Sequence, residues 1–201
     1  MEQKKTVVVT GFEPFGEYTV NASWVAVQEN VFLKLFYTEA QKQKEMQSAI
    51  PNSCSILNHP CVPQLVVHVG VSGIASSVTL EQCAHNQGYQ REDNCCYCPR
   101  THCCVEGGPD CIPSVLQMHE LMSRVDQSAL GVAVSVSEDA GRYLCDYTYY
   151  LSLYEGAGRS VFVHVPPLGK PYSAEELARA LRALILEMLE LLETQTGPKS
   201  C

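Results

Sequence analysis

The sequence predicts an α/β domain built on a largely parallel central sheet. Two observations carry that expectation. Short β-branched runs, apolar on both faces, recur along the chain and end at glycine or proline. Between them lie segments with apolar residues at helical spacing, and strands alternating with helices point to a parallel sheet. A length of 201 residues and a hydrophobic fraction of 46% suit one domain spanning residues 1–201.

Taken in order, Thr6 to Thr10 (TVVVT) is the first strand, closed by Gly11. Residues 22–29 (ASWVAVQE) follow as a helix, with Asn21 as its N-cap. Gln64 to Val69 (QLVVHV) is a second buried strand ended by Gly70, and Val78 to Leu80 is a short extra strand. A helix is expected over 114–125, a strand over Gly131 to Val136, and a helix over 142–154 after Gly141. Ser160 to Val165 (SVFVHV) is the last strand, stopped by Pro166 and Pro167. The final helix opens on a capping box, Ser173 with Glu176. It carries Leu177, Leu181, Leu184, Ile185, Met188 and Leu192 on one face and ends at Gly197-Pro198. Two stretches fit the pattern less well. Residues 30–61 offer only a strand candidate, Val31 to Tyr37, before a polar segment. Residues 89–113 hold six cysteines and three prolines and read as a long irregular excursion.

The bulk properties narrow the function. A formal net charge of -8 argues against nucleic-acid binding, which needs clustered Lys and Arg. The N-terminal residues do not read as a secretion signal, and no run approaches the roughly 18 apolar residues of a membrane span. The expected location is therefore the cytosol, with the eleven cysteines reduced.

Cys145 is the leading nucleophile candidate. It stands where a strand ending near Ser137 turns into a helix, and the partial positive charge of a helix start favours thiolate. Free backbone N–H groups at the same place suit an oxyanion. His164 closes the strand SVFVHV, at the carboxyl end where ligands bind in open α/β sheets. It is the candidate general base, with His68 a rival placed mid-strand. His59, His85, His102 and His119 lie in polar surroundings and read as surface residues. Glu81, in Val78-Thr79-Leu80-Glu81, is a candidate to orient an imidazole. The loop from Gly11 to Gly16 imitates a P-loop but has Glu17 and Tyr18 where Lys and Ser or Thr are needed, so nucleotide binding is rejected. Its Phe12 and Phe15 are suited either to wall an apolar pocket or to fold back on the core. Cys95 and Cys98 form a C-x-x-C, but the spacing to Cys103, Cys104 and His102 is too tight for the usual zinc ribbon.

Four segments together resemble the pyroglutamyl peptidase I family, in its vertebrate forms: VVVTGFEPFGEYTVNAS, PQLVVHVGVSG with VTLEQC, DAGRYLCDYTYY, and FVHVPPLGKP. The resemblance covers residues 1–29 and about 62–195. It implies an α/β/α sandwich and a cysteine exopeptidase that removes N-terminal pyroglutamate from peptides without a cofactor or metal. It assigns Cys145 as nucleophile, His164 as base and Glu81 as orienting acid. It also places Phe12, Phe15, Tyr143 and Leu144 around the pyroglutamyl ring. The resemblance breaks at 30–61, where the family's Glu-Leu/Ile-Pro-Val strand has no counterpart. That departure supports a second reading, a binding protein with an impaired site. A zinc-held interaction module at 95–104 is the third.

Overall fold

A computed structural model describes residues 6–12, 20–29, 63–93, 95–125 and 127–196. The strand candidate at 31–37, the rest of the 30–61 segment and Phe15 lie outside the described residues. Twelve elements run in chain order among them: β1 (Val7–Gly11), α1 (Ala22–Gln28), β2 (Leu65–Val71), β3 (Val78–Glu81), β4 (Cys83–His85), β5 (Cys111–Pro113), α2 (Met118–Arg124), α3 (Gln127–Leu130), β6 (Val134–Ser137), α4 (Leu144–Glu155), β7 (Ser160–Val165) and α5 (Ala174–Thr196).

Five strands form one sheet in the order β1-β2-β7-β3-β6. β1, β2 and β7 are mutually parallel, as are β3 and β6. The short strand β3 is an interior strand and runs antiparallel to β7. β4 and β5 make a separate antiparallel ribbon. The irregular excursion at 89–113 thus ends in a strand.

The period-2 alternation of strands gives the sheet two unlike faces. On one face Val9, Val67, Val69, Val161, Val163, Val78, Leu80 and Val134 join α1, α2 and α5 in a single apolar core. The α5 stripe Leu177, Leu181, Leu184, Ile185 and Met188 is at most 1% exposed, as its helical spacing requires. The Ser173–Glu176 capping box closes reciprocally, with Ser173 N–H donating to Glu176 at 2.7 Å and Glu176 N–H to Ser173 Oγ at 3.2 Å. Asn21 caps α1 by accepting from Ser23 N–H at 2.9 Å.

The opposite face presents Thr10, His68, Gly70, Phe162, His164, Thr79 and Glu81, which the strand registers bring side by side. α4 covers this face. It is buried on several sides, because the cysteine-rich excursion packs over its back: Tyr150 donates to Pro109 C=O at 2.7 Å, and the Cys104 thiol to Tyr147 C=O at 3.6 Å. Several boundaries differ from the sequence expectation. β2 is not ended by Gly70 but runs through it to Val71. Residues 114–117 form a turn held by Ser114 Oγ, and α2 starts at Met118, where the Gln82 side chain accepts its N–H at 2.8 Å. β6 starts at Val134, three residues later than expected, after Gly131 with φ +72°. α4 starts at Leu144, because Gly141, with φ +86°, and the Asp139 carboxylate make a tight turn first.

Candidate active site

The site is assembled where β7, β3 and β2 meet the start of α4. His164, 7% exposed, is the penultimate residue of β7, with Nδ1 2.8 Å from Oε1 of Glu81 on β3. The antiparallel pairing sets Thr79 opposite His164 and Glu81 opposite Phe162, so the carboxylate reaches diagonally across one face. A carboxylate accepts hydrogen bonds, which places the ring proton on Nδ1 and leaves Nε2 to the thiol. Oε2 of Glu81 is buried without a partner among the described residues. Tyr149 donates to the backbone C=O of Glu81 at 3.0 Å and fixes β3 against α4.

Cys145 is the second residue of α4, and its thiol stands near enough to the His164 imidazole to favour its charged form. Burial is the largest influence on the imidazole and disfavours its charge. The hydrogen bonds and negative charges of Cys145 and Glu81 together outweigh it, and the His164 pKa is raised to about 9. No side chain caps the helix at Tyr143, so the first backbone N–H groups of α4 stand unclaimed by a cap.

Gly70 makes the packing of these groups possible. It pairs with His164 in the β2–β7 register. A Cβ there would lie 2.7 Å from Cζ of Phe162 and 3.3 Å from Sγ of Cys145. The ring of Phe162, fully buried, supports the site from below, 4.8 Å from the His164 ring and 6.0 Å from Phe12. Phe12 is held by a short chain of hydrogen bonds: its N–H donates to Ser23 Oγ at 3.1 Å, and that hydroxyl donates to the Asn21 side chain at 2.7 Å. Phe12, Tyr143, Leu144 and Cys145 all border the apolar cluster around α4. The Tyr143 ring is covered by the Arg91 guanidinium at 4.1 Å, and its hydroxyl donates to Glu92 C=O at 3.2 Å.

Two histidines stand elsewhere than the sequence suggested. His68 shares the face of Phe162, but its Nδ1 pairs with Thr10 Oγ1 at 2.7 Å, and burial lowers its pKa to about 4. It is a neutral interior residue. His85, expected at the surface, is half-buried beside Cys83 and Cys111. Within 95–104, Cys98 Sγ and His102 Nδ1 both turn to the Tyr89 C=O, at 3.2 and 2.8 Å. Gly70 and Phe162 were missed in the sequence. Phe162 had a readable signal, since it lies two residues before His164 on the same strand face; Gly70 had none, because it reads as a strand end whereas β2 runs through it to Val71.

Comparison with known proteins identifies the family. Residues 5–181 match the family described as "Pyroglutamyl peptidase". The chain is 56% identical to mouse pyroglutamyl-peptidase 1 over 209 residues, covering 100% of this chain and 98% of the relative. It is 56% identical to the human protein of the same name over 205 residues, covering 98% and 96%. Among solved structures, pyrrolidone carboxyl peptidase from Thermus thermophilus superposes with a TM-score of 0.73 at 27% identity, covering 91% of this chain and all of that one.

Proposed function

The chain belongs to the pyroglutamyl peptidase family, and from that premise we propose that it hydrolyses the bond between an N-terminal pyroglutamate and the next residue through Cys145, His164 and Glu81. The observation that carries the reading is the Cys145 thiol beside His164, whose Nδ1 pairs with Glu81 at 2.8 Å, next to the aromatic residues Phe12 and Tyr143. The Cys145 thiolate attacks the scissile carbonyl. Backbone N–H groups at the uncapped start of α4 hold the oxyanion that forms. Collapse breaks the C–N bond, and His164 gives its proton to the departing amine, leaving a thioester on Cys145. Water then attacks, His164 takes its proton, and pyroglutamate leaves with the thiol restored. Glu81 keeps the imidazole in the required tautomer throughout.

Pyroglutamate is a flat, neutral lactam, and its ring suits a slot edged by Phe12, Tyr143 and Leu144; Phe15, which the family resemblance adds to them, lies outside the described residues. A pocket that admits only the cyclised residue confines cleavage to the N-terminus. The substrates are accordingly peptides beginning with pyroglutamate, met in the cytosol. No helix of the described residues is long and apolar enough to cross a membrane. The test is turnover of a fluorogenic pyroglutamyl amide by the reduced protein and by Cys145→Ala. Turnover confined to the parent is expected. Equal turnover by the variant removes the nucleophile assignment, and a folded parent with no turnover favours the impaired binding protein.

A further inference from the structure

The β4–β5 ribbon carries a second group of reactive side chains that the hydrolytic reaction does not use. Cys83 and His85 are two apart on β4, so they project from one face of the ribbon, while Ala84 between them turns into the apolar cluster under α4. The antiparallel register sets Cys111 of β5 directly opposite His85. As a result two thiols and an imidazole converge, with their donor atoms all within 4.8 Å of one another. The Cys83 thiol donates to the backbone C=O of Glu138 at 3.3 Å, with the Cys111 thiol within 4.8 Å of it. His85 Nδ1 is shielded from solvent and has no hydrogen-bond partner among the described residues. A buried ring nitrogen without a partner is a costly arrangement that a bound ligand would relieve.

We propose that Cys83, His85 and Cys111 form a binding site for a borderline-soft divalent cation, zinc in the first instance. Two sulfurs and one nitrogen are the donors such an ion selects, whereas calcium and magnesium require oxygen. A small contraction brings donors within 4.8 Å to tetrahedral ligand spacing around one ion. Three protein ligands leave the fourth position to water. Cys83 is nearly buried and Cys111 is exposed, so the ion enters from the ribbon's outer edge. Glu138 and Asp139 add negative charge near the imidazole, and Arg142 opposes them. On binding, the two thiols release their protons to solvent and no electron is transferred.

The site adjoins the reaction centre through the chain itself. Cys83 lies two residues beyond Glu81, and the His85 backbone N–H donates to the Asp146 carboxylate at 3.3 Å, next to Cys145. Occupancy ties β4 to β5 and so stiffens the support of α4.

The experiment uses the full chain carrying Cys145→Ala, so that the reactive thiol takes no metal, kept reduced with a phosphine. Cys145→Ser serves if the alanine variant folds poorly. Cobalt(II) is titrated first, then zinc in competition with a chromophoric chelator. The expected result is one equivalent bound, with thiolate-to-cobalt charge-transfer absorption and the intense visible bands of a tetrahedral ion, and a zinc-dependent rise in Tm. Adding Cys111→Ser, an exposed position, should weaken binding by at least about tenfold and abolish the Tm rise. Adding Cys98→Ser and Cys103→Ser should change neither. No thiolate band, or binding that survives Cys111→Ser, overturns the proposal. Loss of the band only with Cys98→Ser and Cys103→Ser also overturns it, by moving the metal to the 95–104 segment.

Discussion

At the scale of single residues, the site depends on one proton and one missing side chain. His164 is held at a pKa of about 9 against burial, by its contacts with Cys145 and Glu81. The folded value is raised above the ordinary 6.5. Its contribution to stability is therefore complete below about 6.5 and is lost as pH rises through about 9. In the proposed reaction the same proton goes to the leaving amine, so kcat/KM should fall with an alkaline limb near 9. Glu81→Gln removes the charge and loosens the tautomer. It is expected to lower kcat by on the order of 10²–10⁴-fold and to move that limb to lower pH. A pH–rate profile with its limb unmoved would show that Glu81 does not act through His164. Gly70→Ala tests the missing side chain. The added methyl meets the fully buried Phe162 ring at 2.7 Å, so the ring or the strand pair must shift. A loss of about 1–3 kcal/mol in denaturant unfolding is expected, with a drop in turnover because Cys145 Sγ also borders the new methyl. Full activity in this variant would mean that the strand pair relaxes without moving the thiol.

At the scale of elements, α4 is docked by a buried carboxylate, Asp146, one residue beyond Cys145. Asp146 accepts from Tyr89 O–H at 2.9 Å and from His85 N–H at 3.3 Å, with Arg142 at 3.5 Å. Burial raises its pKa, the three partners lower it, and burial prevails at about 6. A carboxyl raised in this way favours its neutral form in the fold. Its contribution is complete below the ordinary 3.8 and is lost as pH rises through about 6, the reverse of a salt-bridged carboxylate. Asp146→Asn carries no such titration. Its Tm relative to the parent should therefore improve as pH rises from 3.8 to beyond 6. A Tm difference that is flat across this range would place the ionised carboxylate in an environment as favourable as water. Elements were legible to different depths in the sequence. The buried parallel strands and α5 announce themselves by composition and period, and Cys145 and His164 follow from strand and helix ends. The antiparallel run of β3 and the meeting of His85 with Cys111 were not legible. Both depend on cross-strand register, which no local pattern encodes, and the second also depends on where a long irregular excursion returns.

At the scale of the whole molecule, the sheet separates two tasks. One face is an aliphatic core closed by α1, α2 and α5, and its period-3.6 and period-2 stripes made it readable in advance. The other face is polar and aromatic, carries the site, and is covered by a helix whose all-round burial hides any stripe. The hydrophobic effect alone would favour two aliphatic faces. Retaining Thr10, His68, His164 and Glu81 inside requires partners for them, and most are matched: Thr10 with His68, His164 with Glu81. This division implies that stability and catalysis respond separately to mutation. Leu184→Ala empties a fully buried position on the aliphatic face. It should cost roughly 2–5 kcal/mol in unfolding free energy, with kcat/KM per folded molecule unchanged. Phe162→Leu keeps an apolar group on the other face but withdraws the ring beneath His164 and beside Phe12. The change is close to volume-conserving, so about 1–2 kcal/mol of stability is expected to be lost. The imidazole and thiol lose their fixed support, and kcat should fall by as much as about 10²-fold. Measuring unfolding and kcat/KM on both variants decides the matter, since a single loss of stability that accounted for the activity of both would mean the two faces act as one.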